Sequence, residues 1–224
     1  CYYSISLCNE FLKNSTDEAI SGFTSEQQAE IMGYRAEARF LRALSYFHAM
    51  DLFHNIPFAD ESNIGSSALP ERKTADEIFS FLETELIECS DDMLDADNAI
   101  YGRAPRAAAW MLLARMYLNA PTYNAGEHYA ESMTYTRKVM DEGYALESDY
   151  AKLFNADNHK RVGKGNEIIF PLVVDSRYVM SWGATTYLIC GQVDTDYGPS
   201  ASNFGVSDAW SMFRIRGEVP ALFD

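Results

Sequence analysis

The sequence predicts a mostly α-helical protein, built of paired helices over residues 1–160, with an irregular, loop-rich segment at 161–224 that contains a short β element. Three observations predict it. Apolar residues recur every three or four positions in successive stretches between residues 34 and 142, the period of a helix that buries one face. Small residues such as Ala36 and Ala43 lie on those faces and allow a neighbouring helix to come close. After residue 160 the period stops, and Gly, Ser, Thr and aromatic residues take over.

At the N-terminal end, Cys1, Ile5, Cys8 and Leu12 fall at i, i+4, i+7 and i+11, so residues 1–14 read as a helix face already under way with no cap before it. The chain therefore reads as an interior piece of a larger protein. Residues 15–33 read as a polar connection with a short helix at "SEQQAEIM". From Tyr34 to Phe53 the face is marked by Phe40, Leu41, Leu44 and Phe47. Pro57 ends it, because it lacks an N–H and pushes Ile56 out of helical geometry. After a Ser/Gly-containing loop, Thr74 and Glu77 form a capping box. Behind the box, Phe79, Leu82, Leu86, Cys89 and Met93 repeat at 3-4-3-4 spacing, a narrow seam for a partner helix. "GRAPRAAAWMLLARMYLNAP" is the next helix, with Pro105 suited to a first turn and Pro121 closing it. "GEHYAESMTYTRKVMDEGY" is the fourth, with Gly143 at the position after the C-cap.

The result is two pairs, 34–54 with 75–94 and 105–120 with 127–142. They read as tetratricopeptide-like hairpins with long insertions, although the strict repeat length is absent. "EIIFPLVVD" at 167–175 is the β-rich run, and no helical period follows it from Ser176 to Asp224.

Composition narrows the function classes. Thirty-three acidic against eighteen basic residues leave a net charge of −15. Such a surface repels phosphate backbones, and no Lys/Arg-rich run offsets it, so nucleic acid is not an expected partner. No apolar run reaches the roughly 18 residues that a membrane-spanning helix needs. The four cysteines form neither a C-x-x-C pair nor a zinc signature. Arg35, Arg39 and Arg42 make a basic stripe at i, i+4 and i+7, expected to pair with the protein's own carboxylates. Glu37, on the face of Leu41 and Leu44, is expected in a partly buried ion pair. His48 and His54 lack metal-ligand spacing, and Asp91, Asp92, Asp95 and Asp97 lack the glycine and distal glutamate of a calcium loop. No metal and no cofactor is expected.

"EARFLRALSYFHAMDLFHNIPF" resembles the signature helix of SusD/RagB-type proteins, which are surface glycan-binding lipoproteins of Bacteroidetes-like bacteria. Later blocks fit the same family in the same order: "YGRAPRAAAWMLLARMYLNAP", "KVMDEGYALESDYAKLFNADN", "NEIIFPLVVD", "SWGATTYLI" and "WSMFRIRGEVPALFD". The resemblance implies a tetratricopeptide-like helical half packed against less regular segments that present the ligand. It implies a lipid-anchored, surface-exposed location on the outer membrane, and a SusC-like TonB-dependent transporter as partner for nutrient uptake. It also implies that the lipid-bearing region and much of the C-terminal part lie outside these residues. Cys1 sits in what resembles an internal family helix and is not the expected anchor.

Within this reading the candidate ligand-binding residues are Tyr178, Trp182 and Trp210, with Arg177, Asp194 and Asn203. A neutral sugar presents C–H faces and hydroxyls, and is captured by an aromatic platform plus a few hydrogen-bonding groups. Three classes compete: a non-catalytic receptor for oligosaccharides, a peptide-binding RagB-like receptor of the same fold, and a glycoside hydrolase. Hydrolysis needs two carboxylates facing each other across the sugar, and no motif here marks such a pair. No enzymatic activity and no catalytic residue are expected.

Overall fold

The computed structural model describes residues 1–175, 177–179, 185–196 and 198–222, with the backbone alone described for Thr185 and Thr186. The fold is mostly helical, as expected. Its elements are α1 (Tyr2–Asn14), α2 (Asp17–Ile20), α3 (Ser25–Phe53), β1 (Ile56–Pro57), β2 (Arg72–Lys73), α4 (Ala75–Asp92), α5 (Arg106–Leu118), α6 (Tyr129–Asp141) and α7 (Thr185–Gln192). They divide into two compact units, Cys1–Pro171 and Leu172–Asp224.

The unit Cys1–Pro171 is a stack of helices in which each packs on the next: α1 on α3, α3 on α4, α4 on α5 and α5 on α6. Every neighbour runs antiparallel. Arg39 meets Glu88 while Tyr46 meets Phe81, so rising numbers on α3 face falling numbers on α4. In the same way Arg106 pairs with Glu142, and Ser132 Oγ donates to the Ala114 carbonyl. The shared core includes Phe40, Phe47, Met50, Leu82, Leu113 and Tyr123. Ala107, Ala109 and Ala114 are buried on α5, where small side chains let α4 and α6 approach.

Local chemistry sets most helix ends. The Glu77 carboxylate accepts from both the backbone N–H and the hydroxyl of Thr74, 2.8 Å each. Gly143 lies at φ +89° just past α6, in the left-handed region that glycine reaches without strain. Pro105 stands as the N-cap of α5, with Arg106 the first helical residue. At the end of α3, His54 turns to φ +59°, and Ile56 and Pro57 pair antiparallel with Lys73 and Arg72 as a two-stranded sheet.

Two expectations need correction. The expected polar connection over 15–33 is shorter, because α3 begins at Ser25 and runs unbroken through Gly33. A capping box between Thr24 and Gln27 starts it, and packing of the face that follows outweighs the roughly 1 kcal/mol helix cost of a glycine. The apolar run at 167–175 forms no ladder. Ile168 makes a single bridge to Val162, and the Phe170 ring instead meets Phe40 edge-on at 5.7 Å. Ile169 and Phe170 pack against the helical core, whereas Leu172, Val173 and Val174 are exposed.

Among its described residues, the unit Leu172–Asp224 holds one antiparallel bridge, Asp175 with Val179, then α7 and an irregular return. Helix α7 stands where no helical period is visible. Its apolar residues Leu188, Ile189 and Cys190 are consecutive and fall on different sides, so no single stripe emerges.

Candidate ligand-binding site

In the second unit, α7 ends under a clasp formed by residues 210–213. The backbone N–H of Trp210 donates to the Cys190 carbonyl at 2.8 Å, and those of Met212 and Phe213 donate to the Gly191 carbonyl at 2.8 and 2.9 Å. The Ser211 N–H donates to the Val193 carbonyl at 3.0 Å. These bonds occupy carbonyls at a helix end that have no partner within the helix. Gly191 is required there, because a Cβ would lie 2.3 Å from Cε2 of Phe213. Ser211 is held at φ +49°, a conformation that non-glycine residues adopt only when their surroundings impose it.

The clasp gathers three rings. Tyr187 meets Trp210 at 5.8 Å and Phe213 at 5.6 Å, both edge-on. Trp210 keeps 37% of its surface exposed, and its Nε1–H donates to Asp208 Oδ2 at 3.3 Å. The indole is thus fixed at its edge and partly open to solvent.

Beside the end of α7 lies a cavity of about 330 Å³, lined by Ile189, Gln192, Val193, Asp194, Pro199 and Phe204. Asp194 Oδ2 pairs with the Arg214 guanidinium at 3.1 Å, and Oδ1 accepts from the Asp196 N–H at 2.8 Å. Both ties leave the carboxylate in a defined orientation.

The candidate residues fall into three groups. Asp194 lines the cavity, Asn203 precedes the lining residue Phe204, and Trp210 sits on the clasp. Asn203 Oδ1 accepts from Ser200 Oγ at 2.6 Å within its own turn. Arg177 and Tyr178 occupy a separate turn, where Asp175 Oδ1 accepts from both of their N–H groups at 2.8 and 2.9 Å. Tyr178 projects there with 86% of its surface exposed. Trp182 lies outside the described residues. Gln192, Ile189 and Pro199 were not singled out from the sequence. Their grouping depends on α7, which has no periodic signal.

In the first unit the arginine stripe is consumed by ion pairs. Arg35 pairs with Asp17 at 2.5 Å, and Arg39 with Glu85 at 2.7 Å and Glu88 at 2.6 Å. Arg42 reaches Glu61 at 2.5 Å, Glu85 at 2.7 Å and Asn9 Oδ1 at 2.9 Å. Burial alone would pull the Arg39 and Arg42 guanidiniums down. Their bonds to Glu85, with Glu88 and Glu61, outweigh it and hold both above the ordinary value. Glu37 pairs with Arg103 in a partly buried ion pair, as expected. Among the described residues, no group of three or more His, Cys, Asp or Glu is placed to hold a metal ion.

Residues 1–118 match the SusD-like family profile described as "Starch-binding associating with outer membrane". Over 221 residues the chain is 39% identical to the starch-binding protein SusD of Bacteroides thetaiotaomicron, an alignment that covers 99% of this chain and 37% of that protein. A surface glycan-binding protein A from Bacteroides fluxus is 27% identical with a TM-score of 0.54, over 69% of this chain and 32% of that one. A SusD-like protein from Bacteroides fragilis is 19% identical with a TM-score of 0.63, over 84% of this chain and 34% of that one, a likeness of fold alone. The chain spans about a third of the length of these relatives.

Proposed function

Since this chain belongs to the SusD-like family, we propose that it serves as part of a non-catalytic receptor that captures oligosaccharides at the outer membrane. The captured glycan passes to a SusC-like TonB-dependent transporter, and the receptor is held at the cell surface by a lipid anchor outside these residues. The observation that carries the reading is the 39% identity to a starch-binding protein across almost the whole chain. The chemistry of the second unit supports it. Trp210 and Tyr178 offer aromatic faces to solvent, and Asp194, Asn203 and Arg177 supply hydrogen-bonding groups of the kind a neutral sugar needs. Trp182 belongs to the same proposed set by its residue type.

A receptor rather than a hydrolase is also what the cavity chemistry favours. The lining offers one carboxylate, Asp194, already tied to Arg214, whereas glycoside hydrolysis uses two that face each other.

The test is a titration of the protein with neutral oligosaccharides derived from starch, xylan, mannan, fructan and β-glucan, followed by tryptophan fluorescence and calorimetry. At least one is expected to bind with no reducing ends released over hours. Release of reducing ends would assign a hydrolase, and a response to peptides alone would assign a peptide receptor.

A further inference from the structure

We infer that the cavity beside the C-terminal end of α7 is a subsite for one uncharged sugar ring, with Gln192 and Asp194 as its hydrogen-bonding side and Phe204 as its apolar wall. The inference rests on the reading of the chain as a glycan receptor and goes beyond the candidate aromatics, because Gln192 and Phe204 line the cavity and were not among them.

The lining is divided by chemistry. Ile189, Val193, Pro199 and Phe204 contribute carbon, and Gln192 and Asp194 contribute a carboxamide and a carboxylate. A pyranose ring has the matching division, with axial C–H groups on its faces and hydroxyls around its rim. The carboxamide of Gln192 both donates and accepts, and the carboxylate of Asp194 accepts only, so together they satisfy hydroxyls in either role. A volume of about 330 Å³ sits at the lower end of the roughly 300–1,000 Å³ usual for small-molecule sites. It matches a single ring in size.

Charge sets the class of sugar. Asp194 lines the cavity and Asp196 follows two residues later. Arg214 is engaged with Asp194 and offsets one of these charges. An added carboxylate on the sugar would meet a like charge in a partly enclosed space, which costs affinity. The site therefore takes neutral glycans over uronic acid-containing ones.

Gln192 is exposed and Phe204 is half-exposed, so both can be truncated without opening a core. The experiment uses the chain as it stands and the tightest-binding neutral oligosaccharide from the panel above, alongside the same oligosaccharide oxidised at C6 to carboxylates where its sugars carry a C6 hydroxyl, or a uronate-substituted form where they do not. Calorimetry is expected to give about tenfold weaker binding for Gln192→Ala and for Phe204→Ala, with unchanged thermal midpoints. The acidic form is expected to bind the parent protein about fivefold more weakly than the neutral form at low salt, and Asp194→Asn narrows that ratio. If the parent protein binds a neutral glycan while both truncations bind it equally well, the subsite is overturned and the receptor reading stands. Equal binding of neutral and acidic forms overturns the assigned sugar class. If no glycan binds the parent protein, the receptor reading falls and the subsite falls with it.

Discussion

Arg42 keeps only 3% of its side chain exposed, and its partner Glu85 keeps 9%. A guanidinium so deeply placed is held by Asn9, Glu61 and Glu85, from three different segments. Its removal strands buried acceptors, and Arg42→Ala is expected to cost about 3 kcal/mol. Arg35 belongs to the same stripe but pairs with an Asp17 that is 86% exposed, so Arg35→Ala is expected to cost less than about 1 kcal/mol. Urea unfolding of the two variants checks the contrast. Tyrosines give the residue scale a pH signature. Burial pushes the Tyr46 hydroxyl up to about 12 from an ordinary 10.0. Burial, joined by bonds to Glu83 and Asp51, raises Tyr117 and Tyr123 as well. The fold thus keeps protons that the unfolded chain loses near pH 10. This contribution is complete below about pH 10 and declines as pH rises from there toward 12. Urea midpoints measured from pH 8 to 11 should stay level and then drop, with a shallower drop in Tyr46→Phe.

At the scale of elements, the features readable from sequence are those made by residues three or four apart. The Thr74–Glu77 box, the stop at Gly143 and the seam of Leu82, Leu86 and Cys89 need no distant partner to be recognised. The apolar run through Phe170 reads as β-rich from sequence, and the packing of its ring depends on Phe40, 130 positions earlier. Helix α7 was missed because it carries no stripe, and with it went the cavity at Gln192 and Phe204. Asp194 and Trp210 could be named from their chemistry, but not the cavity that Asp194 lines or the clasp that carries Trp210. Gly33 offers a test at this scale. Nothing lies within 4 Å of where its Cβ would stand, and its φ is not positive. Gly33→Ala is expected to stabilise α3 by about 0.5–1 kcal/mol, seen as a higher urea midpoint with an unchanged helical circular dichroism spectrum.

For the whole molecule, the hydrophobic core cluster lies within the unit Cys1–Pro171. A fragment ending at Pro171 is expected to keep its helical spectrum and a cooperative thermal transition, and loss of either would show that the division at Leu172 is not one of stability. The proposed ligand-binding groups lie on a segment that owns little of that core, which leaves the segment open to change without loss of the frame. The helical stack has a temporal consequence too. Because α3, α4 and α5 each pack on the next α-helix in the chain, most of the pairing is between sequence neighbours, a topology that condenses quickly. The Arg42 cluster is one exception, drawing on positions 9, 42, 61 and 85. Such a knot closes only after the helices have met, so its loss should hasten opening while leaving the speed of assembly nearly untouched.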